Sequence, residues 1–303
     1  QVCRIVRDSL EVVNTYTTLD GFNAESVTDI YVDQLTHRVA IADSATPSLT
    51  IYQYHFETSS LTKLFSRDAS YSGFNEYTYL HASALDQSTG ILYSLIPDEA
   101  VVVQTNFYAT QADDVNSLDY IWWMQPYEIF DALAISPSGE RAALAETSSG
   151  LLKLFNKNAM QALFAQDQDF KTPDDPYLDG IASLAFIDDE NVLYATDNDL
   201  GRYTYSNTWT QMEVFTSEYD ELPSMEGIKQ IAYNRADNLV YVLAKGSNSL
   251  LTFTVSTSTK ELAYLDSTPL TSANPSNMAV CPKSEHIAIL SDSSNSLLLC
   301  KIP

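Results

Sequence analysis

Basic residues are scarce in this sequence of 303 residues, which has 16 lysines and arginines against 40 aspartates and glutamates. The resulting net charge of -24 at pH 7 repels phosphate backbones and anionic headgroups, so nucleic acid and membrane surfaces are excluded as partners. Apolar residues nevertheless make up 45% of the chain and aromatic residues 11%, which is too hydrophobic for a disordered acidic tail. The composition therefore indicates folded structure with a substantial core.

Glycine and histidine are scarce as well, with nine and four residues. The sequence contains no Gly-x-Gly-x-x-Gly or other phosphate loop and no Gly-x-Ser-x-Gly nucleophile elbow. No cysteines have Cys-x-x-Cys spacing and the histidines are scattered, so a structural zinc site is not predicted. No apolar run approaches the roughly 20 residues that a membrane-spanning helix needs, so no membrane span is predicted.

What the sequence does contain is a repeat. The segment from Leu133 to Ala145 predicts a strand, a tight turn and a second strand, and five other segments align with it without gaps. Their spacings run from 47 to 53 residues. The other five segments begin at Ile30, Ser83, Leu184, Ile231 and Met278. One column of the alignment holds alanine in five of the six copies, at Ala84, Ala134, Ala185, Ala232 and Ala279.

Each hairpin is followed by two further strand-like runs, as at Leu151–Phe155 and Gln161–Phe164. Four antiparallel strands in about 50 residues form the unit of a β-propeller blade, and small side chains suit the crowded innermost strand. We therefore predict an all-β fold, a six-bladed β-propeller with four-stranded antiparallel blades in a single domain, residues 1–303. The blades are expected near residues 26–70, 77–124, 127–170, 180–218, 227–269 and 274–303, with residues 8–17 added to the last.

The sixth unit is one strand short, and the strand-like run Leu10–Tyr16 precedes the first repeat. We expect this N-terminal strand to complete the last blade and close the ring. A disulfide from Cys3 to Cys281 or Cys300 would join the two ends of the chain and indicate an oxidising, secreted or extracellular location. The alternative is three buried free thiols, which would suit a cytoplasmic protein.

The segment Ala134–Arg141 resembles the strand–turn–strand element of lactonase-like (YVTN-type) and WD40-like propellers. The resemblance covers the repeat and hence the whole chain, and it implies an architecture more than one activity. Six-bladed lactonases that depend on calcium place Glu, Asn and Asp on a metal at the central channel. The equivalent ring here offers Asp29, Asp131 and Asn277 but no glutamate.

Residues that open the inner strands of a propeller line one mouth of its channel, and five polar side chains fall there. Carboxylate and amide oxygens among them could hold Ca²⁺, and His81 beside Asp131 could act as a catalytic base. The alternative is that these positions are polar because the channel is wet or because they close turns. The five residues are Asp29, His81, Asp131, Lys229 and Asn277.

Two further features could bind partners. Trp122 and Trp123 follow each other in the predicted outer strand Tyr120–Met124, where alternation directs neighbouring side chains to opposite faces. One of them could be exposed and contact a protein or a glycan, or both could pack between blades. The segment Asp167–Gly180 holds five carboxylates in a predicted loop between blades, and either binds calcium or is solvated.

We favour a non-catalytic binding module for a protein or glycan partner, outside the cell, because catalytic motifs are absent and the tryptophan pair suits a contact surface. The alternative is a metal-dependent hydrolase of the lactonase-like kind, with Asp29, Asp131 and Asn277 as metal ligands and His81 and Asp131 as catalytic residues. A cytosolic WD40-like scaffold is a third hypothesis. No cofactor other than Ca²⁺ is suggested.

Overall fold

The computed structural model contains strands and turns, and no helix occurs in the residues that it describes. The described residues are 2–6, 9–14, 18–19, 22–23, 27–33, 36–43, 48–55, 57–58, 60–68, 83–86, 88–96, 101–109, 120–122, 130–147, 150–158, 163–170, 180–216, 222–270, 274–281, 286–291 and 296–301. Side chains are described for a subset of these, from residue 30 onward. The chain divides into two units, Gln1–Leu133 and Ala134–Pro303.

The first unit holds two small hairpins and two four-stranded antiparallel sheets, each sheet running in chain order. Its hairpins are β1 (Val2–Val6) with β2 (Ser9–Asn14), and β3 (Thr18–Leu19) with β4 (Phe22–Asn23). The first sheet comprises β5 (Val27–Asp33), β6 (Arg38–Asp43), β7 (Ser48–His55) and β8 (Ser60–Asp68). The second sheet comprises β9 (Ser83–Asp86), β10 (Ile91–Ile96), β11 (Val101–Asn106) and β12 (Tyr120–Trp122).

The second unit holds the remaining sheets, the first of which begins at the boundary between the units. The third sheet comprises β13 (Ala132–Ile135), β14 (Arg141–Glu146), β15 (Leu151–Asn158) and β16 (Leu163–Phe170). The fourth comprises β17 (Ser183–Phe186), β18 (Asn191–Ala195), β19 (Asp199–Tyr205) and β20 (Trp209–Thr216). The fifth comprises β21 (Ile228–Asn234), β22 (Leu239–Ala244), β23 (Ser249–Val255) and β24 (Leu262–Pro269). The sixth comprises β25 (Pro275–Cys281), β26 (His286–Ser291) and β27 (Ser296–Lys301).

Each of the six sequence repeats thus forms the first two strands of one antiparallel sheet, which confirms the predicted all-β fold built from strand–turn–strand units. Five of these sheets have four strands and the sixth has three. The predicted N-terminal strand forms as β2, and it pairs with β1 in a hairpin. A closed ring of six blades remains a prediction.

Burial follows the position of a strand within its sheet. The second strands β14, β18 and β22 are buried along almost their whole length, whereas in the fourth strands β20 and β24 only the first side chain is buried and the others are partly or fully exposed. The core lies between consecutive sheets: apolar side chains of β18 and β22, such as Leu193 and Val242, share one cluster. The fourth strand therefore forms the solvent-exposed edge of these two sheets.

Two arginines at the same repeat position connect one sheet to the next. Arg38 opens β6 and donates through Nη1 to the carbonyl oxygens of Phe107 and Ala109, at 2.6 and 2.8 Å, beyond the end of β11 in the second sheet. Arg141 opens β14 and donates through Nη1 to the carbonyl oxygen of Asp189 in the fourth sheet. A charged donor satisfies main-chain acceptors of the following sheet in both cases.

The acidic segment Asp167–Gly180 was predicted to be a loop, and the structure corrects its first part. Strand β16 continues to Phe170, pairing with β15 as far as Leu152 opposite Phe170. Backbone pairing does not depend on apolar side chains at an outer strand, because one face of that strand is solvated. Residues 171–179 lie outside the described residues.

The cysteines do not form a bridge through Cys300, whose thiol is free and half-buried; burial raises its pKa. Cys281 lies in β25 and Cys300 in β27, with β26 between them, so their Cα atoms are about 10 Å apart, too far for a disulfide. The side chains of Cys3 and Cys281 lie outside the described residues, and a bridge between them remains a prediction.

Candidate functional site

The predicted channel position is marked by a bulge in three of the sheets. The pairing register shifts between Val27 and Asp29, between Ile228 and Gln230, and between Pro275 and Asn277. These shifts leave Thr28, Lys229 and Ser276 out of the ladder, and these three residues occupy one column of the repeat. Bulges redirect side chains at the end of a strand, so this end of the sheets is irregular in a repeated way.

The next column connects neighbouring sheets. Ser183 Oγ accepts a hydrogen bond from the backbone N–H of Ile231 at 3.1 Å. One sheet further on, Gln230 Oε1 accepts from the backbone N–H of Met278 at 2.6 Å. Ile231 and Met278 are both 4% exposed, so these side chains satisfy buried donors on a first strand. Polar residues in this column therefore have a structural role at these two positions.

The predicted site residues are placed as follows. Lys229 and Asn277 are exposed, and they immediately precede the bonded pair Gln230 and Met278, so they lie on neighbouring strands of the second unit. Asp131 is half-buried just before β13. Asp29 pairs with Ala42 in the first sheet, but its side chain lies outside the described part of the structure.

His81 is also outside that part, so convergence of the five predicted residues is not tested. Among the described side chains, no group of three His, Cys, Asp or Glu is placed to hold a metal ion.

The tryptophan pair is described only in part. Trp122 ends β12, the edge strand of the second sheet, where it pairs with Val101. This confirms the predicted outer strand. The side chain of Trp122 and the whole of Trp123 lie outside the described residues, so their exposure remains a prediction.

A different candidate site lies at the opposite end of the strands, where the turns of three sheets in the second unit border an open depression of about 380 Å³. We call it the turn depression. It includes the turn between β23 and β24, which contributes Lys260. The turns that follow β13, β17 and β21, together with the end of β21, contribute Pro137, Ile187, Asp188, Asp189, Tyr233, Arg235 and Asn238.

The repeat explains why these side chains meet. Pro137, Asp188 and Arg235 occupy the same column of the repeat, its fifth position, which lies in the hairpin turn of three consecutive sheets. Lys229 and Arg235 stand near opposite ends of β21, about 20 Å apart along the strand. This set was not predicted, because only the columns before each repeat were expected to carry functional side chains. The signal in the sequence was this turn column, in which proline, an acidic residue and a basic residue follow each other in three consecutive repeats.

Asp188 is held in place by its own turn. Its Oδ1 accepts hydrogen bonds from the backbone N–H of Glu190 at 2.9 Å and from Nδ2 of Asn191 at 2.8 Å. Its Oδ2 lies 3.6 Å from the ammonium nitrogen of Lys260 in the fifth sheet. Both groups of this ion pair are about one-third exposed, so the pair is worth little by itself and mainly orients the two side chains.

Asp189 connects the third and fourth sheets. Its Oδ1 accepts from the backbone N–H of Ser138 at 2.8 Å. Burial alone would raise the pKa of this carboxyl, but hydrogen bonds from Ser138 and Ser136 and the nearby charge of Arg141 lower the pKa below its usual value. The guanidinium of Arg141 in turn stacks 4.0 Å above the ring of Tyr205. Asp189 is therefore an ionised, fully engaged acceptor.

The fifth sheet presents donors to the depression. The Tyr233 hydroxyl donates to Asn238 Oδ1 at 3.0 Å, which fixes the amide with its nitrogen directed away from that bond. Burial raises the pKa of Tyr233, although the nearby charge of Arg235 opposes the shift. Tyr233 is therefore neutral at physiological pH. The Arg235 side chain is exposed.

Comparison with known proteins identifies the fold and no family. No protein-family profile and no curated protein matches the sequence. The periplasmic gluconolactonase of Pseudomonas aeruginosa is similar in structure, with a TM-score of 0.67 and 12% identity over 90% of this chain and 80% of that one. A chain of the mitotic checkpoint complex has a TM-score of 0.68 and 9% identity, over 92% of this chain and 76% of that one. A chain of the COPII outer coat vertex on membranes has a TM-score of 0.70 and 12% identity, over 91% of this chain and 69% of that one.

These structures are lactonase-like and WD40-like propeller proteins, which confirms the predicted likeness to propellers of both kinds. Identities this low show a shared fold and carry no activity from one protein to another. Within the described residues, no helix is long and apolar enough to cross a membrane.

Proposed function

We propose that this chain is a non-catalytic β-propeller binding module that binds a protein partner through the turn depression. The observation that carries the proposal is the composition of the depression: the fourth and fifth sheets line it with charged, amide and aromatic side chains, and the third sheet adds Pro137. Enzyme sites for small molecules are concave and mostly apolar, with a few convergent polar groups. An open, charged depression suits a partner surface better.

The residue types also suit a contact surface. Tyrosine and arginine are enriched among the residues that dominate binding energy at protein interfaces. Tyr233, near the end of β21, and Arg235, in the turn that follows, are two positions apart. Tyr233 is held by its bond to Asn238, so little conformational entropy is lost when a partner contacts its ring. Of the similar structures, two come from multi-protein assemblies by name.

The proposal is tested with a displayed library of random peptides, selected on the wild-type protein. The binding variant is the double substitution Tyr233→Ala, Arg235→Gln, and the control is Lys245→Gln. Lys245 lies in the turn between β22 and β23, at the other end of β22 from Arg235. We expect peptides that bind the wild type and the control but not the double variant, with all three proteins melting alike. Peptides that bind all three equally would contradict the proposal.

The exposed apolar faces of the first and sixth sheets support the predicted closed ring. Ile30 and Val32 in β5 are 56% and 55% exposed, whereas the residues at the Ile30 position in β17, β21 and β25 are buried. Leu290 in β26 is 46% exposed, whereas Leu243, at the same repeat position, is fully buried. We propose that the chain closes into a six-bladed ring in which β2 completes the last blade and these apolar side chains become buried. Val32→Asp should then destabilise the protein, and an unchanged melting temperature would count against closure.

An extracellular location belongs to the same proposal. It depends on a bridge between Cys3 and Cys281, since Cys300 is free. Intact mass after alkylation without reductant should show one modified thiol. Three modified thiols would favour the cytoplasmic alternative.

A glycan partner, with Trp122 or Trp123 as the stacking residue, is tested on a glycan array with each tryptophan changed to alanine.

The second candidate function is a metal-dependent hydrolase of the lactonase-like kind at the opposite end of the strands. It is favoured by the repeated bulges that bring polar residues to the strand starts, including Lys229 and Asn277. Asp29, Asp131 and Asn277 would hold Ca²⁺, which would polarise a carbonyl, and His81 would act as base. Calcium titration by calorimetry of the wild type and Asp131→Ala tests it: equal heats for both proteins would remove Asp131 as a ligand.

A further inference from the structure

The hydrogen-bonding groups of the turn depression are unequally engaged. Its two carboxylates already accept bonds from the protein: Asp188 from Glu190 and Asn191, and Asp189 from Ser138. An ionised carboxylate has acceptor sites and no donors, so neither of these groups can donate a hydrogen bond to a ligand.

The hydrogen-bond donors of the turn depression, in contrast, remain available to a ligand. Arg235 is exposed and makes no hydrogen bond to a described residue. Asn238 receives a bond at Oδ1, which leaves its Nδ2 donors available. Lys260 makes one long ion pair, with Asp188, and an ammonium group can donate three bonds. A ligand that fits this arrangement must bring acceptors.

We propose that the turn depression recognises a carboxylate in an acidic peptide segment of the partner, with Arg235 as its main donor and Asn238 and Lys260 beside it. This inference rests on the proposed function. The planar guanidinium offers two parallel N–H groups that match the two oxygens of a carboxylate, and such charge-assisted bonds are the strong ones at interfaces.

The surroundings define the ligand further. A net charge of -24 repels anions, and polyanions such as nucleic acid most strongly, so the segment should carry only one or two carboxylates and depend on the local donors for its affinity. Pro137, Ile187 and the ring of Tyr233 add apolar and aromatic surface to the same depression. An apolar residue next to the Asp or Glu of the peptide would pack there, and the volume of about 380 Å³ is enough for a few side chains.

The test uses the peptides selected in the library experiment. The strongest binder is synthesised with its Asp or Glu and, separately, with Asn or Gln at that position, and both forms are titrated against wild type, Arg235→Gln, Arg235→Lys and Lys245→Gln. We expect the acidic peptide to lose about 10- to 100-fold in affinity on Arg235→Gln and less on Arg235→Lys. It should bind Lys245→Gln as it binds the wild type. The amide peptide should bind all four proteins weakly and equally.

Three other outcomes would each overturn this inference, and they differ in what they imply for the proposed function. Selected peptides that depend on Tyr233 but carry no excess of Asp or Glu would overturn this inference and leave the proposed function intact. Absence of any peptide that depends on the depression would overturn both. Succinate that displaces the acidic peptide at concentrations near the peptide's own Kd would show that a free dicarboxylate is the ligand, and would overturn the assignment to a peptide.

Discussion

Gln230 and Met278 join the fifth and sixth sheets: the side-chain oxygen of Gln230 accepts the backbone N–H of Met278 at 2.6 Å. Ser183 makes the equivalent bond to Ile231 one sheet earlier. A first strand has a free edge, and its unpaired N–H groups need acceptors from elsewhere. A side chain from the preceding sheet supplies the acceptor in both cases.

Replacing Gln230 by alanine should therefore lower the free energy of unfolding by about 1–3 kcal/mol, because the buried N–H of Met278 loses its acceptor. Ser183→Ala should have a similar effect through Ile231. Lys229→Ala, one residue away and exposed, is the matched control and should change stability by less than about 0.5 kcal/mol. Urea denaturation measures all three; equal values for Gln230→Ala and Lys229→Ala would contradict the role assigned to this column.

Two tyrosines at the same repeat position should respond oppositely to loss of the hydroxyl. Tyr194 Oη accepts from Gln211 Nε2 at 2.5 Å, whereas the Tyr241 hydroxyl is buried without a hydrogen bond among the described residues, and burial raises its pKa to about 12. Tyr194→Phe should cost about 1 kcal/mol, while Tyr241→Phe should be neutral or stabilising because it removes an unsatisfied polar group. Thermal melts of the two variants decide this. A loss of stability in Tyr241→Phe would mean that its hydroxyl has a partner.

Gly201 should not tolerate a side chain. A Cβ built on it overlaps the ring of Tyr194, which is itself fully buried and cannot move outward. Gly201→Ala should cost at least about 1–3 kcal/mol through overpacking. Combining it with Tyr194→Leu should recover part of the loss, which a double-mutant cycle would detect as coupling. Strictly additive effects would show that the ring is not the obstacle.

Stability should depend on Asp189 in a pH-dependent way. The folded-state pKa lies below the ordinary value, so ionised Asp189 stabilises the fold above pH 4, and this contribution is lost as the pH falls through the folded pKa. Asp189→Asn should therefore be less stable than wild type at pH 7, and the difference should shrink as the pH falls below about 4. Chemical denaturation at a series of pH values measures the difference in stability; a constant difference would contradict the roles given to the Ser138 hydrogen bonds and the charge of Arg141.

The strands were predictable because alternation and turn residues recur at a fixed spacing, and β15 begins at the predicted residue Leu151. The extent of β16 was not predictable, because this outer strand continues as long as its backbone pairs with β15, even where its own side chains are polar. The turn depression was not predictable either. It depends on which turn residues meet across sheets, and a single copy of the repeat carries no information about its neighbours.

The connections made by Arg38, Arg141, Ser183 and Gln230 have a consequence for synthesis on the ribosome. Each bond joins a side chain to an acceptor or donor that lies between 48 and 71 residues further along the chain. A newly made sheet therefore has no partner for its connecting side chain until the next repeat has left the exit tunnel. During translation the most recently made sheet therefore lacks this connection. A translational pause one repeat after a hairpin should help that hairpin to pack against the next sheet, whereas a pause within the hairpin's own repeat should not.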